Sequence, residues 1–95
     1  MPGSAMTGVE IANNLPRVPG WSLKGNAIDR EFVFGDFRQA MVFVGGVACA
    51  ADGLDHHPDI CVYYNKVRLT LSTHKAGGLT EKDFALAERI DRLVE

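Results

Sequence analysis

Residues 27–51 read AIDREFVFGDFRQAMVFVGGVACAA, and the spacing of the apolar side chains changes part-way along. Up to Phe34 the large apolar residues Ile28, Phe32 and Phe34 stand at even intervals, the period of a strand with one buried face. From there Phe37, Ala40, Met41, Val44, Val47, Ala48 and Ala51 follow the i, i+3, i+4, i+7 rule for one helical face. Asp36 stands between the two patterns as an N-cap, able to accept from the unpaired N–H groups of a first turn. A strand running into a long amphipathic helix is therefore expected. Gly45-Gly46 interrupts that helix, each glycine costing about 1 kcal/mol relative to alanine. A close backbone approach to the sheet beneath is the plainer reason. A contact between helices of two copies is the sharper one, and Val42 and Phe43 widen the apolar surface beyond a single stripe.

Working upstream, Trp21 to Lys24 alternates apolar and polar, and Gly25-Asn26 is a turn signal, which together with residues 27–34 predicts a β-hairpin. Residues 7–15 predict a short helix that stops before Pro16, because the residue preceding proline is pushed out of the α region. The opening Met1 to Met6 reads as a remnant of cloning with Met6 the natural start. Residues 1–9 are expected to be disordered and 10–95 to form a single domain. Downstream, residues 61–73 are rich in β-branched and aromatic side chains and predict two strands around an Asn65-Lys66 turn. In the second, Val67, Leu69 and Leu71 face one way, and Arg68, Thr70, Ser72 and His74 the other. Thr80 to Asp83 resembles a capping box, opening a last helix with Phe84, Ala87, Ile90, Leu93 and Val94 on its apolar face. The order α-β-β-α-β-β-α gives an α+β fold, a four-stranded antiparallel sheet with helices packed on one face.

Composition narrows the function classes. With 95 residues, 46% hydrophobic and 23% charged, the chain has the make-up of one soluble globular domain. A net charge of −2 provides no electrostatic footprint for direct nucleic-acid binding or for an anionic membrane. No stretch reaches the length of a membrane span. Cys49 and Cys61 have neither C-x-x-C nor zinc-site spacing, which fits a reducing, cytoplasmic setting.

The chemistry gathers in Asp52-Gly-Leu-Asp55-His56-His57-Pro58-Asp59, with His74 and Asp83 downstream; these include all three histidines of the chain. Histidine is the side chain best suited to proton transfer near neutrality. Asp52 and His56 stand four apart, so they share a face if the helix persists. Pro58 biases His57 to an extended conformation, turning the two adjacent histidines in different directions. Two or three histidines around one pocket, oriented by a carboxylate, suit acid/base work on a neutral substrate. Each residue also has a plainer reading: His-His-Pro as a surface turn, His74 as a polar-face strand residue, Asp83 as a first-turn helix acid. A metal is not expected, since adjacent histidines rarely converge on one ion and no third ligand stands at a helical or hairpin spacing.

The pattern Asp52-x-x-x-His56-His57-Pro58, then Tyr64, His74 and Asp83, resembles the signature of the pterin-4a-carbinolamine dehydratases. The wording Leu-Asp-His-His-Pro-Asp, Tyr-Asn-Lys-Val, Leu-Thr-Leu-Ser-Thr-His and Gly-Leu-Thr-Glu-Lys-Asp is similar to theirs, as are Trp21 and the Phe-x-Phe-x-Asp-Phe segment at 32–37. The resemblance covers about residues 10–95. It implies a lyase without cofactor or metal that dehydrates 4a-hydroxytetrahydropterin to quinonoid dihydropterin, in tetrahydrobiopterin recycling beside an aromatic amino acid hydroxylase. Carried over by position, His56 is the principal acid/base, Asp52 the acid orienting it, His74 a second acid/base and His57 a residue that binds and positions the ring. Asp83 holds His74 or the adjacent loop, Ser72 and Thr73 offer hydrogen bonds to the pterin edge, and Asp55 and Pro58 belong to the substrate-binding segment. Two departures stand out: Asp52 where many relatives have glutamate, and Ile60 where an aromatic residue is common. The resemblance further implies a homotetramer, a dimer of dimers with the helices of residues 37–51 at its centre. It also offers a non-enzymatic alternative, an interaction module of the dimerisation or transcriptional cofactor type.

Overall fold

In the computed structural model, which describes residues 4–95, the change of apolar period after Phe34 is a change of element. Helix α1 (Gly8–Asn14) leads through a 3-10 turn (Leu15–Arg17) to strands β1 (Ser22–Lys24) and β2 (Ala27–Val33). The long helix α2 (Phe37–Leu54) follows, then β3 (Asp59–Tyr63), β4 (Lys66–Leu71), a 3-10 turn (His74–Ala76) and α3 (Glu81–Asp91). The four strands form one antiparallel sheet in the order β1-β2-β4-β3, so the two hairpins join along β2 and β4. The α+β architecture read from the sequence is the one observed.

Register explains why only one face is covered. Ile28 lies opposite Leu71, Arg30 opposite Leu69 and Phe32 opposite Val67. These side chains line the inner face, where Ile28, Val67, Leu69 and Leu71 are fully buried, each worth roughly 1.5–3 kcal/mol by loss of apolar exposure. One residue out of phase, Asp29, Glu31 and Arg68 meet on the outer face, with Arg68 bonded to Asp29 at 2.9 Å. Helix α2 seals the inner face by setting Phe43 between Phe32 and Phe34, ring centroids 4.7 and 4.9 Å away. Helix α3 adds Phe84, Leu86, Ala87 and Ile90, while Leu93 and Val94 lie past its end and stay partly exposed.

Several local expectations shift. Asp36 does cap α2, accepting from the Gln39 N–H at 2.9 Å. The turn between β3 and β4 is Tyr64-Asn65, with Tyr64 in the left-handed region at φ 57° and Asn65 Nδ2 donating to the Phe34 carbonyl. A Cβ on Gly46 would sit 3.2 Å from Leu93 Cδ1, so the close approach there is to the C-terminal segment and not to the sheet. Gly45 faces open space. Of the disordered start expected over residues 1–9, residues 1–3 lie outside the described residues. From Met6 onward the chain is tied down: its N–H donates to the Leu79 carbonyl at 2.7 Å, and Thr7 and Glu10 form a capping box on α1. Arg17 then clamps this N-terminal layer to α3, with both terminal guanidinium nitrogens on Glu81 and a third contact to Glu88 at 2.6 Å. Those hydrogen bonds hold the Glu81 and Glu88 carboxyls below the ordinary carboxylate range.

Candidate active site

Among the described residues Asp83 is the one charged or polar residue in the buried core, and the site is built around it. Thr80 precedes α3 as its N-cap and forms a capping box with Asp83. Asp83 Oδ2 accepts the Thr80 N–H at 2.9 Å and the Thr73 hydroxyl at 2.8 Å. Asp83 Oδ1 lies 2.6 Å from His56 Nε2. A buried carboxylate needs such partners, because without them its desolvation would cost several kcal/mol. An ionised carboxylate can only accept, so His56 Nε2 is a protonated nitrogen in this pair, and in the neutral ring Nδ1 carries the free lone pair.

The end of α2 delivers His56 to that position. Helical backbone stops at Leu54, and Asp55 takes the left-handed conformation at φ 49° and ψ 45°. The His56 N–H then donates back to the Ala51 carbonyl at 3.1 Å, the wrap-around bond of a helix that closes on a left-handed residue. This reversal turns His56 inward. His57 stays outside with its Nε2 2.9 Å from Asp52 Oδ1, and both members of that pair are exposed. The carboxylate partners therefore differ from those expected. Asp52 and His56 do not share a helical face, because the helix ends between them, and Asp52 holds His57. Asp83 holds His56 and not His74.

Thr73 links the remaining histidine to this centre. A compact loop, in which Thr73 and Gly78 pair as an isolated bridge, sets His74 directly after the residue that bonds Asp83. The expected end of a strand at His74 is instead the start of the 3-10 turn, and the ring is exposed with no hydrogen-bond partner among the described residues. Ser72 points elsewhere, donating to the Asn26 carbonyl at 2.8 Å. With Thr73 donating to Asp83, neither hydroxyl proton is free for a bound molecule. Asp55 is exposed at the helix end and Pro58 half-buried beside it. A cavity of about 420 Å³ opens on Thr73 and Thr80 from the side of Lys75 and Lys82. Among the described residues no group of three His, Cys, Asp or Glu side chains is gathered as a metal ion would require.

Residues 4–93 match the protein family described as pterin 4 alpha carbinolamine dehydratase. The chain belongs to that family. One curated relative, from Sulfurisphaera tokodaii, is 49% identical over 89 residues, covering 94% of this chain and 96% of its own. Another, from Chloroflexus aurantiacus, is 54% identical over 85 residues, covering 90% and 91%. Both bear the name "Putative pterin-4-alpha-carbinolamine dehydratase". Among solved structures, a transcriptional coactivator/pterin dehydratase from Brucella melitensis is similar with TM-score 0.91 and 36% identity, covering 97% of this chain and 100% of that one. A pterin dehydratase-like protein identified as a RuBisCO assembly factor in the alpha-carboxysome is similar at TM-score 0.63 and 27% identity, covering 77% and 84%.

Within this dehydratase-family chain, one residue escaped the sequence reading as part of the site. Thr80 was legible only as a helix cap, yet its hydroxyl lies 2.8 Å from Thr73 Oγ1. The Ser/Thr-x-x-acid spacing was the available signal, since it places the cap beside Asp83.

Proposed function

We propose that the chain dehydrates 4a-hydroxytetrahydropterin to quinonoid dihydropterin, with His56 as the principal acid/base. The observation that carries this reading is the buried Asp83–His56 pair, whose geometry fixes one ring nitrogen and leaves the other available. The reaction breaks the C4a–O bond, removes the proton from N5 and forms the C4a=N5 double bond. It needs one base and one acid, and no electrons leave or enter. In this account His56 Nδ1 takes the N5 proton. His74, exposed and unpartnered among the described residues, gives a proton to the departing hydroxyl. Water leaves, and proton exchange with solvent restores the two rings. His57, steadied by Asp52, positions the pterin, with Asp55 and Pro58 shaping the segment around it.

The same reading places the protein in tetrahydropterin recycling in the cytoplasm, downstream of an aromatic amino acid hydroxylase, with no cofactor or metal. It also includes a homotetramer assembled through α2, whose Phe37, Met41 and Val42 leave an apolar surface exposed. That surface favours a second reading, a non-enzymatic interaction module. The neighbours described as a transcriptional coactivator/pterin dehydratase and as a RuBisCO assembly factor lend it support.

The two readings part in one assay. Freshly generated 4a-hydroxytetrahydropterin decays spontaneously, so the purified chain is added and the decay compared with the uncatalysed rate. The dehydratase reading predicts a clear acceleration proportional to protein concentration. A well-folded protein that leaves the background rate unchanged would sink it in favour of the interaction module.

A further inference from the structure

Asp83 holds His56, and a chain of two hydroxyls that the proposed reaction does not use holds Asp83. Thr73 Oγ1 lies 2.8 Å from Asp83 Oδ2 and 2.8 Å from Thr80 Oγ1. Because the carboxylate only accepts, the Thr73 proton points at Asp83, and the Thr73 oxygen becomes the acceptor in its contact with Thr80. Thr80 must therefore donate, which gives the chain one direction: Thr80 to Thr73 to Asp83. The Thr80 N–H also donates to Oδ2, at 2.9 Å. That oxygen is occupied by two donors, and Oδ1 is left to hold the Nε2–H of His56.

We infer that Thr80 is a positioning residue for His56, acting through Thr73 and Asp83 to keep the imidazole in the Nε2–H tautomer with Nδ1 bare. A helix cap alone does not require this arrangement. A capping hydroxyl ordinarily serves the first turn of its own helix. Here the Thr80 oxygen faces the Asp83 N–H in the capping box, and the hydroxyl proton, which capping does not use, is left for Thr73 Oγ1 at 2.8 Å. The consequence for rate rests on the dehydratase reading, but the consequence for the ring does not.

Two readouts separate these. The first is the nitrogen-15 spectrum of the His56 ring at a pH where it is neutral, recorded for the wild type, Thr80→Val and Thr80→Ser. The wild type and Thr80→Ser should show a protonated Nε2 and an unprotonated Nδ1, and Thr80→Val should show the other tautomer appearing. The second is steady-state dehydration. Thr80→Val should lower kcat roughly three- to tenfold, the worth of one hydrogen bond, with KM nearly unchanged, and Thr80→Ser should restore it. A folded Thr80→Val whose ring spectrum matches the wild type overturns the inference whatever its rate, leaving Thr80 a helix cap. A rise in KM at constant kcat overturns it too, since Thr80 would then touch the substrate from the adjoining cavity. Should Thr80→Val fail to fold, Thr73→Val cuts the same chain one link nearer Asp83 and is read instead: the other tautomer appearing supports the inference, and a ring spectrum matching the wild type overturns it. Should the wild type show no dehydration, the ring spectra still test the positioning role.

Discussion

The chain holds two histidine–aspartate pairs that sequence alone would treat as alike, and the fold makes them opposites. His56 and Asp83 are 11% and 0% exposed, and their contact is 2.6 Å. His57 and Asp52 are 60% and 80% exposed, at 2.9 Å. The first pair joins residues 27 positions apart and is locked by Thr73 and Thr80. The second joins neighbours across a helix end and has no further support among the described residues. An exposed pair is screened by water and contributes at most about 1 kcal/mol, whereas a buried one is costly to leave half-made. The same two residue types thus make a fixed, buried pair in one place and an adjustable contact in the other.

Substitution of the catalytic candidates should open the widest gap. Loss of a positioned acid/base typically costs about 10²–10⁴ in rate, so His56→Ala should lose at least roughly 100-fold in kcat over the catalysed part of the decay. His57→Ala should lose much less and show its effect mainly in KM, as a ring-binding residue would. Stability should separate the pairs next. Asp83→Ala leaves His56 and two donors without their buried partner and should cost about 3–5 kcal/mol in denaturant unfolding, while Asp52→Ala should stay within about 0.5 kcal/mol. Equal losses for the two aspartates would erase the distinction by burial.

The Arg17 cluster supplies a smaller test of the same rule. Glu81 is largely exposed and Glu88 partly so, and their carboxyls are held below the ordinary range first by hydrogen bonds from Arg17. A depressed carboxyl contributes stability that is present above its unfolded pKa and lost as pH falls through the folded one. Arg17→Gln should therefore cost about 1 kcal/mol near neutral pH, and the deficit should shrink as the solution is acidified below the usual carboxylate range. A deficit that persists unchanged in acid would mean that packing of Arg17 over the Phe84 ring, 5.8 Å to its centroid, carries the effect instead.

How far the sequence reached differs between fold and site for a physical reason. Periodicity is local, so Ile28 and Phe32 announced a strand, Phe37 to Ala51 a helix and Asp36 its cap. A four-stranded antiparallel sheet then followed from two hairpins that had to bury one face, while the joining of β2 to β4 came only with the structure. The pairing of His56 with Asp83 is not local. It depends on Asp55 entering the left-handed region, which a non-glycine residue does not advertise, and this ends the helix before Asp52 and His56 can share a face. The β3–β4 turn was hidden in the same way: Tyr64 holds the left-handed position where glycine or asparagine would have signalled it. The histidines were legible as a group, but their carboxylate partners were set by tertiary packing.

The most direct measurement is the ratio of the catalysed dehydration rates of His56→Ala and His57→Ala, each checked for an intact fold by circular dichroism. The account predicts a kcat for His56→Ala at least roughly tenfold below that of His57→Ala, because only His56 has a buried carboxylate fixing its ring. Equal rates, or a deeper loss in His57→Ala, would contradict the claim that the Asp83–His56 pair is the working acid/base.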